Sequence, residues 1–132
     1  MKKTKFLLVT AILFTATGAY CMADMFKNGV LHFDYKAEEL APAEAAARVQ
    51  LEKDLAALVA IPKDQRTFDN TIMAYERAFD DYSNALGMSG FLSYVSTDKQ
   101  FRDAALALQM QISQYMVDVA TRRDVYRAIR EY

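Results

Sequence analysis

The side chains best suited to chemistry are scarce in this chain: His32 is its single histidine and Cys21 its single cysteine, and it has no tryptophan. A zinc hydrolase builds on H-E-x-x-H, which sets two imidazoles one helical turn apart beside a carboxylate general base. His32 has no such partner, and beside Phe33, Asp34 and Tyr35 it reads as a partly exposed structural residue. A di-iron bundle needs Glu-x-x-His twice and attached haem needs C-x-x-C-H; neither occurs. Nucleophilic catalysis is equally short of parts. There is no G-x-S-x-G elbow, and Cys21 falls within a leader-like segment. Asp80-Asp81 offers adjacent carboxylates, but on the polar side of an amphipathic helix they read as solvated rather than as an acid and base pair. The Gly87-Met88-Ser89-Gly90 run lacks the spacing and lysine of a phosphate-binding loop, so turn formation explains it. The sequence therefore assigns no catalytic, cofactor-binding or metal-ligating residue and no cofactor within this chain.

Composition bounds the rest. At 132 residues, 53% hydrophobic and 25% charged, with 4 glycines and 2 prolines, the chain suits one folded domain and is neither disordered nor collagen-like. Its formal net charge is -1, so it lacks the electrostatic footprint of a nucleic-acid binder. The group Arg122, Arg123, Arg127 and Arg130 is offset by Asp124 and Glu131 and reads as a complement to the negative end of a helix.

Lys2, Lys3 and Lys5 precede the uncharged stretch Phe6 to Ala16, and small residues follow at Thr17, Gly18 and Ala19. This is the three-part pattern of an export signal, assigned to residues 1–23. Its apolar stretch of 11 residues is short against the 17 to 25 or so of a membrane-spanning helix, which argues against a permanent anchor. Cleavage after Ala19, with Thr17 two before it, and after Ala23, with Cys21 two before it, both fit. The expected location is periplasmic or secreted. Cleavage after Ala23 removes three lysines and no acid, leaves a charge of -4, and leaves no cysteine, so a mature chain would rest on packing without disulfides.

Four elements follow an irregular arm over residues 24–41. Asn28-Gly29 suggests a turn before Val30 to Phe33. Pro42 suits the first turn of a helix, which runs to Ile61 before Pro62 stops it; Ala47, Leu51, Leu55 and Leu58 form its stripe. Thr67 caps a second helix in which Phe68, Ile72, Tyr75, Phe79, Tyr82 and Leu86 recur every four and three residues, with Gly87 as its end. Thr97 and Gln100 have capping-box spacing. A third helix follows with Phe101, Ala105, Leu108, Ile112, Tyr115 and Val119 on one side, and a fourth from Arg123 carries Val125, Tyr126 and Ile129. Matching stripes on long helices with short connections predict an all-α antiparallel bundle of three to four helices over residues 42–132.

The third helix differs from the second in its polar side. From Ala104 to Val117 it has no charged residue, only Gln109, Gln111, Ser113 and Gln114. Amides can be paired when covered whereas charges are costly to bury, so this face is expected to be enclosed, either by the first and fourth helices or by other protein.

Arg66-Thr67-Phe68-Asp69-Asn70-Thr71 resembles the start of the N-terminal helical region in the thimet oligopeptidase and oligopeptidase A family of zinc metallopeptidases. The resemblance continues in order through Asp80-Asp81, Phe91-Leu92-Ser93-Tyr94-Val95-Ser96, Phe101-Arg102-Asp103-Ala104-Ala105 and Arg123-Asp124-Val125-Tyr126, covering roughly residues 43–132. It departs at Val125, where the family tends to carry Leu, and in the Gly-Met-Ser-Gly run. The resemblance implies a helical enzyme that cleaves short peptides in a deep channel, with zinc held by an H-E-x-x-H helix and a downstream Glu. None of those elements can be carried to a residue here. It further implies that this sequence is an opening segment: a truncated reading frame, a piece of a broken gene or an expressed fragment. Its partner would be the remainder of a peptidase catalytic domain, or another protein, on the uncharged face of the third helix. The contrasting expectation is a free-standing periplasmic helical binding or chaperone-like protein that uses the same face.

Overall fold

A computed structural model describes residues 26–27, 30–31 and 33–132. Residues 1–23, with Cys21, and His32 lie outside the described residues, as does the expected Asn28-Gly29 turn. Phe26–Lys27 (β1) and Val30–Leu31 (β2) pair antiparallel, with Phe26 opposite Leu31 and Lys27 opposite Val30. Everything beyond is helical: α1 is Ala37–Val59, α2 Met73–Val95, α3 Lys99–Ala120 and α4 Arg123–Arg130. The expected all-α bundle is present. No described helix is long and apolar enough to cross a membrane.

α1 starts before Pro42, within the segment expected to be irregular. The Glu39 carboxylate accepts the Lys36 backbone N–H at 2.9 Å, and Glu38 and Glu39 sit at the positive end of the helix dipole. Leu40, 4% exposed, anchors this first part to the core. Pro42 thus lies inside the helix, where it removes the bond its N–H would have made to the Glu38 carbonyl and its ring crowds that carbonyl.

Thr67 caps the next helical segment as expected: its hydroxyl accepts the Asn70 N–H at 3.2 Å and its own N–H donates to Asn70 Oδ1 at 2.8 Å. The segment opens on a π-turn, Phe68–Ile72, which leads into α2. A π-turn holds more residues than an α-turn and shifts the phase of the stripe. Phe68 is accordingly 53% exposed, and Thr71, at 1%, takes the interior place.

α2 then runs straight through Gly87, its expected end, and through Gly90 of the expected turn. Each interior glycine costs about 1 kcal/mol relative to alanine. Burial of Leu86 on one side of them and of Leu92 and Ser93 on the other keeps the helix continuous. The hydroxyls of Ser89 and Ser93 donate to the Leu86 and Gly90 carbonyls at 2.7 and 2.6 Å. At α3 the cap is Asp98 rather than Thr97, with Asp98 Oδ1 accepting the Gln100 N–H at 2.8 Å; a carboxylate one residue later competes better for the free N–H groups than the Thr97 hydroxyl. In α4 the interior residues are Val125 and Ala128, while Tyr126 is 61% exposed and does not join the core.

Two apolar clusters fill the bundle. Leu51, Leu55, Ala78, Tyr82, Tyr115 and Val119 lie in the larger, which also takes in Val125 of α4. Leu40, Leu92, Phe101, Ala105 and Leu108 form the second, at the end where α1 begins and α2 meets α3. Ile112 touches both. Phe79, although on the expected stripe, is half-buried and lies tilted against Tyr75 with ring centroids 4.6 Å apart.

Phe101 is the largest side chain in this core with almost no exposure. Phe101→Ala should therefore destabilise the fold by about 3 to 5 kcal/mol, read by chemical denaturation, and Phe79→Ala should cost less. The reverse order would contradict this placement of the core.

Candidate functional site

The most elaborate polar arrangement in the described residues starts on α1. Leu40, Glu44, Ala47 and Leu51 follow four-three-four spacing, so Glu44 falls on the core stripe and is 6% exposed. A carboxylate removed from water needs charged or hydrogen-bonded partners. Arg48, one turn on, donates to Glu44 Oε1 from Nε at 2.9 Å and from Nη2 at 2.6 Å. The Tyr82 hydroxyl of α2 donates to the same oxygen at 3.1 Å.

Arg48 carries the arrangement onward. Its guanidinium carbon lies 4.1 Å from the centroid of the Tyr115 ring on α3, a cation–π contact, and the Tyr115 and Tyr82 rings are tilted with centroids 5.8 Å apart. The Tyr115 hydroxyl donates to Glu52 Oε1 at 2.8 Å. Arg122, between α3 and α4, donates to Glu52 Oε2 at 2.6 Å and to both carboxylate oxygens of Asp124 at 3.1 and 2.7 Å. A continuous polar ladder thus joins α1 to each of the other helices.

Burial, reinforced by the bond to Glu44, pushes the Tyr82 phenol up to about 12. Tyr115 is raised too, first by burial and then by its bond to Glu52. The Arg122 guanidinium holds Asp124 down at about 2. The bond to Glu44 raises Arg48. Carboxylates, phenols and guanidinium groups therefore satisfy one another, and among the described residues no buried side-chain nitrogen or oxygen lacks a partner. The arrangement holds helices in register.

Arg66 makes a second clamp. Its side chain, 9% exposed, donates to the Ile61 carbonyl just past α1 and to the Ala128 carbonyl of α4, both at 3.1 Å, and reaches Glu131 at 3.3 Å. Two chain segments with free carbonyls are thereby tied by one cation. A cleft of about 260 Å³ beside it is lined by Asp124, Arg127 and Glu131 among others, with charges of both signs.

Asp80 and Asp81 are exposed on α2, and Gly87 to Gly90 are helical. Among the described residues no three His, Cys, Asp or Glu side chains converge as a metal would need. Arg123, Arg127 and Arg130 are exposed, whereas Arg122 belongs to the ladder. On α3, Gln109, Gln111, Ser113 and Gln114 are exposed, with Leu106 at 46%, Met110 at 77% and Val117 at 57%. The first and fourth helices therefore do not enclose this face, contrary to one of the two expectations for it. Beside it, between α2 and α3, runs a groove of about 220 Å³ whose lining includes Leu86, Gly87, Gly90, Gln109, Ile112 and Met116. The ladder was not anticipated from sequence. Its signals were Glu44 on an apolar stripe four residues before Arg48, and two tyrosines at core positions whose hydroxyls need partners.

No protein-family model matches the chain. Over 98 residues, 74% of the chain, it is 31% identical to a thimet-like oligopeptidase from Dictyostelium discoideum. Those residues amount to 15% of that protein, so the chain spans a small part of the relative's length.

A tyrosine ordinarily ionises near 10.0, whereas folded Tyr82 holds its proton to about 12. In that window the folded state binds more protons than the unfolded one, so stability is fully present below pH 10 and falls as pH rises. A tyrosinate absorbance titration should show Tyr82 and Tyr115, besides the half-buried Tyr75, ionising late as helical circular dichroism is lost, with one late step removed by each of Tyr82→Phe and Tyr115→Phe. Uniform titration near 10 with the helices intact would contradict the ladder.

Proposed function

We propose that this chain is a non-catalytic helical segment of an exported, thimet-oligopeptidase-like zinc metallopeptidase. The observation that carries the reading is the 31% identity over 98 residues to a thimet-like oligopeptidase of which they form 15%. The side chains fit a scaffold role. Glu44, Glu52 and Asp124 are held by arginines and tyrosines, which leaves them committed to structure rather than to a metal or a substrate water. In this proposal zinc and the hydrolysis of short peptides belong to residues outside those of this chain, and the uncharged face of α3 meets the remainder of a peptidase.

A second reading, a free-standing periplasmic helical binding or chaperone-like protein, draws on the exposure of Leu106, Met110 and Val117 on that same face, since exposed apolar surface rimmed by polar groups marks interaction sites.

Both readings predict the same first result and diverge from an enzyme. The full chain, expressed with its leader in a bacterial host and recovered from the exported fraction, should begin at Tyr20 or Asp24 by mass spectrometry. With added zinc it should not cleave quenched fluorescent peptides. Zinc-dependent, chelator-sensitive turnover would overturn the non-catalytic assignment, and an exported chain still beginning at Met1 would overturn the cleavable leader.

A further inference from the structure

The two apolar clusters are not equally secured. Around the larger one, the bonds of Tyr82 to Glu44, of Tyr115 to Glu52, and of Arg122 to Glu52 and Asp124 tie the helices to one another. The ladder comes no nearer to the second cluster than Glu44 on α1 and Tyr82 on α2. There Leu40, Leu92, Phe101, Ala105 and Leu108 meet by apolar contact, which has no preferred direction.

Both helices that pass from the ladder to this cluster do so across residues that weaken a helix. On α1, Pro42 lies between Leu40 and Glu44 and withdraws a backbone bond. On α2, Gly87 and Gly90 lie between Tyr82 and Leu92, and glycine regains the most backbone freedom when a helix unwinds. A Cβ built at either glycine meets no atom within 4 Å, so no close approach in the closed fold requires glycine there. The Ser89 and Ser93 hydroxyls donate to the Leu86 and Gly90 carbonyls, the acceptors that helical geometry also gives to the Gly90 and Tyr94 N–H groups. Hydroxyls that bond back to a preceding carbonyl loosen a helix slightly. α3 differs. From Leu108 to Tyr115 it has neither glycine nor proline, and its Ile112 touches both clusters, so it spans the two as an unbroken rod.

We propose that the bundle opens in two stages, the first detaching the start of α1 and the end of α2 from Phe101 as one unit, with Pro42 and Gly87–Gly90 as its break points. Proteins open in contiguous units whose cost follows the contacts each one loses, and this unit loses no bond of the ladder. Leu92 and Phe101 are 6% and 1% exposed in the closed fold. Opening adds them to the apolar surface that Phe91, Tyr94 and Val95 already present at this end. The device follows from the packing and backbone of this chain and is independent of the peptidase relationship.

Native-state hydrogen exchange of the full chain, over a series of low urea concentrations, tests it. Amides of Phe91 to Val95, with Ala41 and Ala43 of α1, should share one level of protection at least about tenfold below that of Leu51 to Leu58 and Ala78 to Tyr82, with a shallower dependence on urea because less surface is exposed. Gly87→Ala and Gly90→Ala, whose added methyl groups meet nothing, should each raise that protection by about fivefold. The rise should include Ala41 and Ala43, on a helix those methyl groups do not touch, since one opening exposes both segments. Equal protection and a single urea dependence throughout the bundle would overturn the two-stage opening. Protection that only grades down toward Val95 and is insensitive to Gly87→Ala would reduce it to fraying, and a rise confined to α2 would overturn the single unit.

Discussion

Glu44 sets the terms on which the helices can meet. Its carboxylate is buried on the core stripe of α1, where an unpaired charge would cost several kcal/mol. Arg48 on its own helix and Tyr82 from α2 converge on one of its oxygens, so α1 can rotate or slide against α2 only by giving up the Tyr82 bond to that buried charge. Arg48 in turn lies against the ring of Tyr115, which places α3. Tyr115 passes the constraint through Glu52 to Arg122 and Asp124, where α4 begins. Apolar packing supplies most of the drive to fold but is tolerant of small shifts. The ladder is directional, and it selects one register among those the leucine stripes would allow.

The stripes themselves were plain in the sequence. Leu51, Leu55 and Leu58, and Phe101, Ala105, Leu108, Tyr115 and Val119, are buried because one spacing governs both the pattern of residues and the face of a helix. Departures arose where local signals met tertiary packing. Gly87 and Gly90 look like a helix end, but burial of Leu86 and Leu92 around them outweighs their intrinsic cost. Pro42 looks like a start, but Leu40 and the reach of Glu39 to the Lys36 N–H draw the helix back past it. The π-turn after Thr67 could not be read, since nothing in residue type alone marks the phase slip that sends Phe68 outward and Thr71 inward. The ladder escaped for a related reason: hydrophobic periodicity treats Glu44 as an interruption, although its position on the stripe is what gives it its role.

The candidate site was legible mainly by what could be excluded. The sequence offers one histidine and one cysteine for metal chemistry, and both lie outside the described residues. The charge-free side of α3 was visible as an anomaly, and its exposure turns that anomaly into a surface. A charged face would hold water and keep neighbours away, whereas amides, methionine and aliphatic side chains can be covered at little cost. Over 98 residues the chain is similar to a small part of an oligopeptidase, and the described polar side chains inside it are spent on holding helices together.

The account rests on the buried pairing of Glu44 with Tyr82, and a double-mutant cycle with Glu44→Ala and Tyr82→Phe, followed by denaturant unfolding, measures that pairing directly. A hydrogen bond to a buried carboxylate predicts a coupling of about 1.5 to 3 kcal/mol. Effects that add to within about 0.5 kcal/mol would show the two side chains to be energetically independent and would contradict the ladder as the determinant of helix register.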